Sequence, residues 1–134
     1  MFFLLLQHLK NYVMMKKIGF GSNTNCREHV FVKDNNGFKR ICIHNIVFLE
    51  AQRNCCILHL QNCEMKVNVP LCEVLDDLDP HLFLRIHRSY SVNQEHLLEL
   101  SKYKAIIDNG QILRVGKVYY QKILKETILI LKHY

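Results

Sequence analysis

A stretch of 134 residues, 49% apolar and 22% charged, can bury one hydrophobic core and predicts a single compact domain, not several modules. Eighteen Lys and Arg against twelve Asp and Glu give a formal charge of +6, a field that draws polyanions such as nucleic acid or an anionic membrane surface. The longest N-terminal apolar run, residues 2–6, is far short of the ~20 residues that span a bilayer, so no membrane span is expected.

In chain order, "MFFLLLQHLKNYVMMKK" has neither a basic region before its apolar run nor a small-residue cleavage site after it, which argues against a signal peptide. It is expected to be a short helix or a frayed end, with "MFFLLL" available as an apolar contact for a partner protein and Met14 or Met15 as alternative starts. The following Gly19, Gly21, Ser22, Asn23 and Asn25 read as a linker, giving an N-terminal extension over 1–27 and a folded domain over 28–134. "HVFVKDNNGFKRICI" has two Val/Ile/Phe runs around Asp34-Asn35-Asn36-Gly37 and predicts a hairpin. "IVFLEAQ", "CCILHLQ" and "MKVNV", broken at Arg53-Asn54 and Asn62, continue it as a meander.

Pro70 opens a helical stretch in which Leu71, Val74, Leu75 and Leu78 share a face opposite Glu73, Asp76 and Asp77. "LFLRIH" is predicted extended, with Phe83, Arg85 and His87 on one side and Leu82, Leu84 and Ile86 on the other. "YKAIIDNGQILRV" predicts a second hairpin at Asp108-Asn109-Gly110. In "KVYYQKILKETILIL", Tyr120, Ile123, Leu124, Thr127, Ile128 and Leu131 fall at helical spacing, so a final helix should cover a sheet face.

The six cysteines, Cys26, Cys42, Cys55, Cys56, Cys63 and Cys72, form no CxxC pair and lie mostly in apolar runs, so they are expected to be reduced core residues. His59 with Cys63 lacks the second spaced pair a zinc site needs, and neither metal nor cofactor is expected. Catalysis would need a nucleophile beside a base; in "CCILHL" alternation puts Cys55 and His59 on one face and Cys56 on the other. A non-enzyme is the expectation.

The ordered set "IVFLEA", "PLCEVLDDL", "FLRIHRSYSVN", a "DNG" hairpin and a closing amphipathic helix resembles the LytTR family of bacterial DNA-binding domains over roughly residues 28–128. Its most specific piece is Phe83, Arg85, His87, Arg88, Ser89, Tyr90, Val92 and Asn93. The resemblance implies a mostly β fold of packed small antiparallel sheets, one short internal helix and a C-terminal amphipathic helix. It also implies a cytoplasmic transcription regulator, dimeric on paired promoter repeats of double-stranded DNA, with loops entering the major groove. No helix-turn-helix competes, because the two predicted helices lie far apart. Such regulators often stand behind a phosphorylated receiver domain, for which this stretch is too short.

By the same resemblance, three loops carry the DNA contacts: Arg53, Asn54, Cys55 and Cys56; His87, Arg88 and Ser89; and Gly116, Lys117 and Val118. The match departs at the first, where relatives often carry an aromatic, and at the third, where they carry a Ser-Arg-Arg-like run. Arg88 is the candidate base reader, since a guanidinium can donate twice to guanine O6 and N7. Its bland alternative is a salt bridge within the protein. Arg85 is expected to pair internally with a carboxylate such as Glu50. His87 either meets a phosphate or orients the loop by bonding a backbone carbonyl. Ser89 suits a phosphate or a local cap, Tyr90 and Asn93 are supporting residues, and Lys117 is a candidate phosphate clamp. The rival function is a non-enzymatic protein-interaction module of the same fold that has lost its DNA contacts.

Overall fold

The structure, a computed structural model, describes residues 12–15, 29–34 and 37–127. The expectations for "MFFLLL", for the Gly/Ser/Asn linker, for Asn35 and Asn36, and for Ile128 and Leu131 lie outside those residues.

The described residues form three antiparallel sheets. The first runs β1 (Tyr12–Met15), β2 (His29–Asp34) and β3 (Gly37–Cys42) in that order. Strand β1 corrects the expectation of a helix or frayed end: Tyr12 pairs with Val32 and Met15 with His29. An aromatic and β-branched stretch takes the extended form readily when a neighbouring strand offers unpaired backbone groups. The β2–β3 hairpin turns as expected, Asp34 opposing Gly37, whose φ of 135° lies where only glycine is unstrained.

The central sheet has five strands in the order β6-β5-β4-β8-β7. Its meander, β4 (Ile46–Gln52), β5 (Cys55–Leu60) and β6 (Glu64–Val67), follows the apolar runs and turns read from the sequence. Helix α1 (Leu71–Asp76) then leads to β7 (Phe83–His87) and β8 (Tyr90–Asn93). The third sheet holds β9 (Leu97–Leu100), β10 (Lys104–Ile107) and β11 (Ile112–Arg114), ordered β11-β10-β9. Helix α2 (Lys117–Lys122) closes the fold and widens into one π turn, Ile123–Thr127.

Both faces of the central sheet are buried. One face, with Leu49, Cys56, Leu58 and Phe83, meets Val30, Val32 and Ile41 of the first sheet and Leu71 and Val74 of α1. The other, with Phe48, Leu84, Ile86 and Val92, meets Ala105, Ile107 and Leu113 of the third sheet and Ile123. This double burial explains why "IVFL" in β4 is apolar without alternation. A register shift between Ile46 and Phe48 fits the run to both cores.

Two details depart from the pattern read along the chain. Leu124, assigned to the covering face of the last helix, is exposed, because the π turn spaces residues beyond Lys122 differently from the 3.6-residue period. Cys42 is disulfide-bonded, against the expectation of reduced cysteines, whereas Cys55, Cys56, Cys63 and Cys72 are free. Among the described residues no helix is long and apolar enough to cross a membrane.

Candidate nucleic-acid interface

Antiparallel pairing brings the three predicted loops to one end of the central sheet. β4 pairs with β8 through Glu50 and Tyr90, and just beyond that pair the Ala51 amide donates to the Ser89 carbonyl at 2.8 Å. The β4–β5 turn, Arg53-Asn54, therefore lies beside the β7–β8 turn, Arg88-Ser89. The start of α2 is tied to the same hairpin by the Gly116 amide, which donates to the Ile86 carbonyl at 2.7 Å. A Cβ at Gly116 would stand 3.1 Å from the Tyr119 ring and 3.8 Å from the His87 ring, so glycine permits the close approach.

The β7–β8 turn is built by its own flanking side chains. A register shift between Arg85 and His87 breaks the alternation expected for "LFLRIH" and sets the His87 ring 5.5 Å from Tyr90. Arg85 does not pair with Glu50, whose carboxylate is bonded instead to His59 Nε2 at 2.8 Å. Its guanidinium turns along the hairpin, donating from Nε to the His87 carbonyl at 2.9 Å and from Nη2 to the Arg88 carbonyl at 2.6 Å. Cζ lies 5.7 Å from the centre of the Tyr119 ring, within reach of a cation–π interaction. A planar fork bridges two carbonyls in a way no carboxylate partner was needed to explain.

His87 also works in the opposite sense to the expected one. Rather than donating to a backbone carbonyl, its Nδ1 accepts from the Ser89 amide at 3.0 Å. That bond requires Nδ1 to be unprotonated, which places the proton of the neutral ring on Nε2. Burial lowers the His87 pKa below the ordinary value, and the nearby charges of Arg114, Arg88 and Arg85 push the same way. Arg88 itself is exposed at the turn, and none of the ion pairs among the described residues involves it.

The remaining predicted residues divide. Arg53, Asn54 and Lys117 are exposed, and Val118 beside Lys117 is an exposed apolar residue. Cys55 is half-buried, its thiol donating to Asn68 Oδ1 at 3.4 Å. Cys56 is a correction: it is 0% exposed inside the first core, and burial pushes its thiol up to about 12. Alternation along β5 turned it inward, so it cannot touch DNA. Tyr90 stands edge-on to Phe48 at 6.0 Å and packs on the second core. Asn93 is fully buried, donating from Nδ2 to the Ile46 carbonyl at 2.8 Å and accepting the Glu95 amide at 2.9 Å. It joins the start of β4 to the end of β8. A further exposed cation at this end of the sheet that sequence reasoning did not single out is Arg114, at the end of β11 and close enough to His87 to depress its pKa. The signal was present as an outward-facing position in "ILRV" after the second hairpin.

The family model described as the LytTr DNA-binding domain matches residues 36–128. Curated relatives include the transcriptional regulatory protein LytR of Staphylococcus aureus strains N315 and NCTC 8325 / PS 47. Each is 30% identical over 92 residues, covering 65% of this chain and 37% of the relative. The chain thus spans little more than a third of the length of these proteins. Among solved structures, the LytTr DNA-binding domain of a putative methyl-accepting/DNA response regulator from Bacillus cereus matches with a TM-score of 0.63 at 22% identity, covering 72% of this chain and 94% of that one. This second likeness is one of fold: small antiparallel sheets with few helices.

Proposed function

The chain belongs to the family of LytTr DNA-binding domains, and from that membership we propose that it binds double-stranded DNA sequence-specifically as the reading part of a transcription regulator, with loops and no recognition helix entering the major groove. The observation that carries the reading is Arg88, an exposed guanidinium with no ion-pair partner among the described residues, on a turn tied down by its neighbours. Such a group can donate twice to guanine O6 and N7, a pairing that discriminates by ~1–3 kcal/mol against the wrong base.

Arg53, Arg114 and Lys117, exposed around the same end of the sheet, supply the sequence-independent part of the affinity by neutralising phosphates. Asn54, Ser89 and the half-buried Cys55 fill the groove-facing surface between them. The proposal includes dimeric binding to paired promoter repeats in the cytoplasm, where half-site spacing would mirror the symmetry of the two copies.

Fluorescence anisotropy with duplex fragments across a salt series tests this reading. Arg88→Ala should weaken binding to a preferred duplex by ~1–3 kcal/mol while leaving a scrambled duplex little changed. Lys117→Ala should weaken both and make the plot of log K against log salt shallower by about 0.9. Equal loss on both duplexes for Arg88→Ala would remove it as the base reader. No binding to any duplex at low salt would favour the protein-interaction module instead.

A further inference from the structure

We propose that Arg85 and His87 are a positioning pair for Arg88, holding its turn in the reading geometry so that base discrimination, and not phosphate affinity, depends on both and is lost in acid. The inference rests on the reading of Arg88 as the base contact and adds how that contact is regulated.

The turn is fixed by hydrogen bonds that converge on its backbone. Arg85 takes the His87 and Arg88 carbonyls, His87 takes the Ser89 amide, and β4 takes the Ser89 carbonyl through Ala51. Three consecutive residues are thereby held from both sides. A side chain presented on a fixed backbone has less freedom to lose when it meets a base, which is the general advantage of preorganisation. A phosphate contact tolerates a looser approach, because a point charge acts without a required direction. Loss of the pair should therefore separate the two kinds of contact.

The pair is also sensitive to protonation. Nδ1 of His87 can accept from Ser89 only while the ring is neutral. An imidazolium there would face the Ser89 amide donor to donor. It would also add a charge beside Arg85 and Arg88 on its own hairpin and Arg114 on β11, next to the uncharged Tyr90 ring of β8 and close to Gly116 at the start of α2. Because burial and, after it, these cations lower the pKa, the neutral acceptor persists below ~6.5, the ordinary histidine value, and is lost as pH falls through the lowered one. Added positive charge strengthens the purely electrostatic part of DNA binding, so the two parts should move in opposite directions.

The test uses two probes: a duplex selected by the wild-type chain from a randomised pool, and a scrambled duplex of the same composition. Arg85→Lys and His87→Leu should lower the ratio of the two affinities about ten-fold, the scale of one bidentate base contact, with the scrambled duplex held within about two-fold. In the wild-type chain the same ratio should be level above neutral pH and fall on acidification. Asn at position 87 can offer an oxygen acceptor near the place of Nδ1 without titrating, so His87→Asn should keep the ratio and abolish its acid loss. Amide exchange at Ser89 in the free protein supplies a readout independent of DNA, expected to quicken in Arg85→Lys and His87→Leu and to stay slow in His87→Asn. Thermal melts confirm that each variant is folded. An unchanged ratio in Arg85→Lys, equal loss on both duplexes, or His87→Asn as damaging as His87→Leu overturns the proposal. If the wild-type chain selects no duplex, base reading itself fails; Ser89 exchange that does not quicken in the variants then overturns the pair as well.

Discussion

Arg53 is the single non-glycine residue with positive φ among those described, at 58°, and it occupies the exposed tip of the β4–β5 turn. A left-handed conformation brings Cβ against the following carbonyl and costs an ordinary residue roughly 1–2 kcal/mol, whereas Asn and Gly visit it readily. Arg is a poor choice for the backbone here, and its presence is consistent with a use for its charge. Arg53→Asn should therefore stabilise the fold by about 0.5–1 kcal/mol in urea titration while weakening DNA binding and making the salt dependence shallower by about 0.9. A gain in stability with unchanged affinity would remove Arg53 from the interface. At this scale the sequence was informative about residue type and weak on partners. Arg85 was recognisable as an internal fork, yet its acceptors are the carbonyls of its own hairpin, and the register shift that aims it there leaves no mark in an apolar/polar pattern. Cys56 was misplaced for a simpler reason: motif matching assigned it to a loop, and alternation along β5 turned it into the core.

Elements were legible where local chemistry alone determines them. Gly37 and Gly110, at φ 135° and 92°, sit in the two turns marked by Asn-Gly, and α1 presents Leu71 and Val74 inward as its spacing requires. Less legible were elements whose form depends on a distant neighbour. Strand β9, "LLEL", has two exposed residues between two half-buried ones and shows no alternation; it is a strand because β10 pairs with it, itself shifting register between Ile106 and Ile107. The widening of α2 into a π turn is likewise absent from the 3.6-residue pattern. The second hairpin gives a clean test of local control. A Cβ at Gly110 would meet nothing within 4 Å, so Gly110→Ala introduces backbone strain without a clash. It should cost about 1 kcal/mol in chemical denaturation, and Gly110→Asn distinctly less. Equal costs for the two would mean that the turn rearranges, and the pairing of β10 with β11 does not depend on that backbone angle.

For the molecule as a whole, the decisive feature is that one sheet serves two cores. Leu49 and Phe48 are neighbours in β4, but Leu49 packs toward the first sheet and Phe48 toward the third. A polar staple reinforces the second contact: His96, almost fully buried, meets Asp108 Oδ2 from Nδ1 at 2.8 Å and the His44 carbonyl from Nε2 at 2.8 Å, joining the segments before β4, before β9 and after β10. Neither outer sheet can leave without exposing half of the central one, so unfolding should be a single cooperative transition for the residues described. Leu49→Ala and Ile107→Ala probe the two cores separately, both side chains being fully buried. Each should lower stability by ~2–5 kcal/mol, shift the midpoint of one transition, and leave the denaturant slope unchanged. The loops proposed to meet DNA issue from the central sheet and from α2, so a third sheet that melted alone in Ile107→Ala would release the support beneath Lys117 and Arg114 while the hairpin bearing Arg88 stayed intact. Two transitions in that variant, seen as early loss of amide protection in β9, β10 and β11, would show that the Arg88 hairpin and its flanking cations are held by separable units, contrary to the shared central sheet.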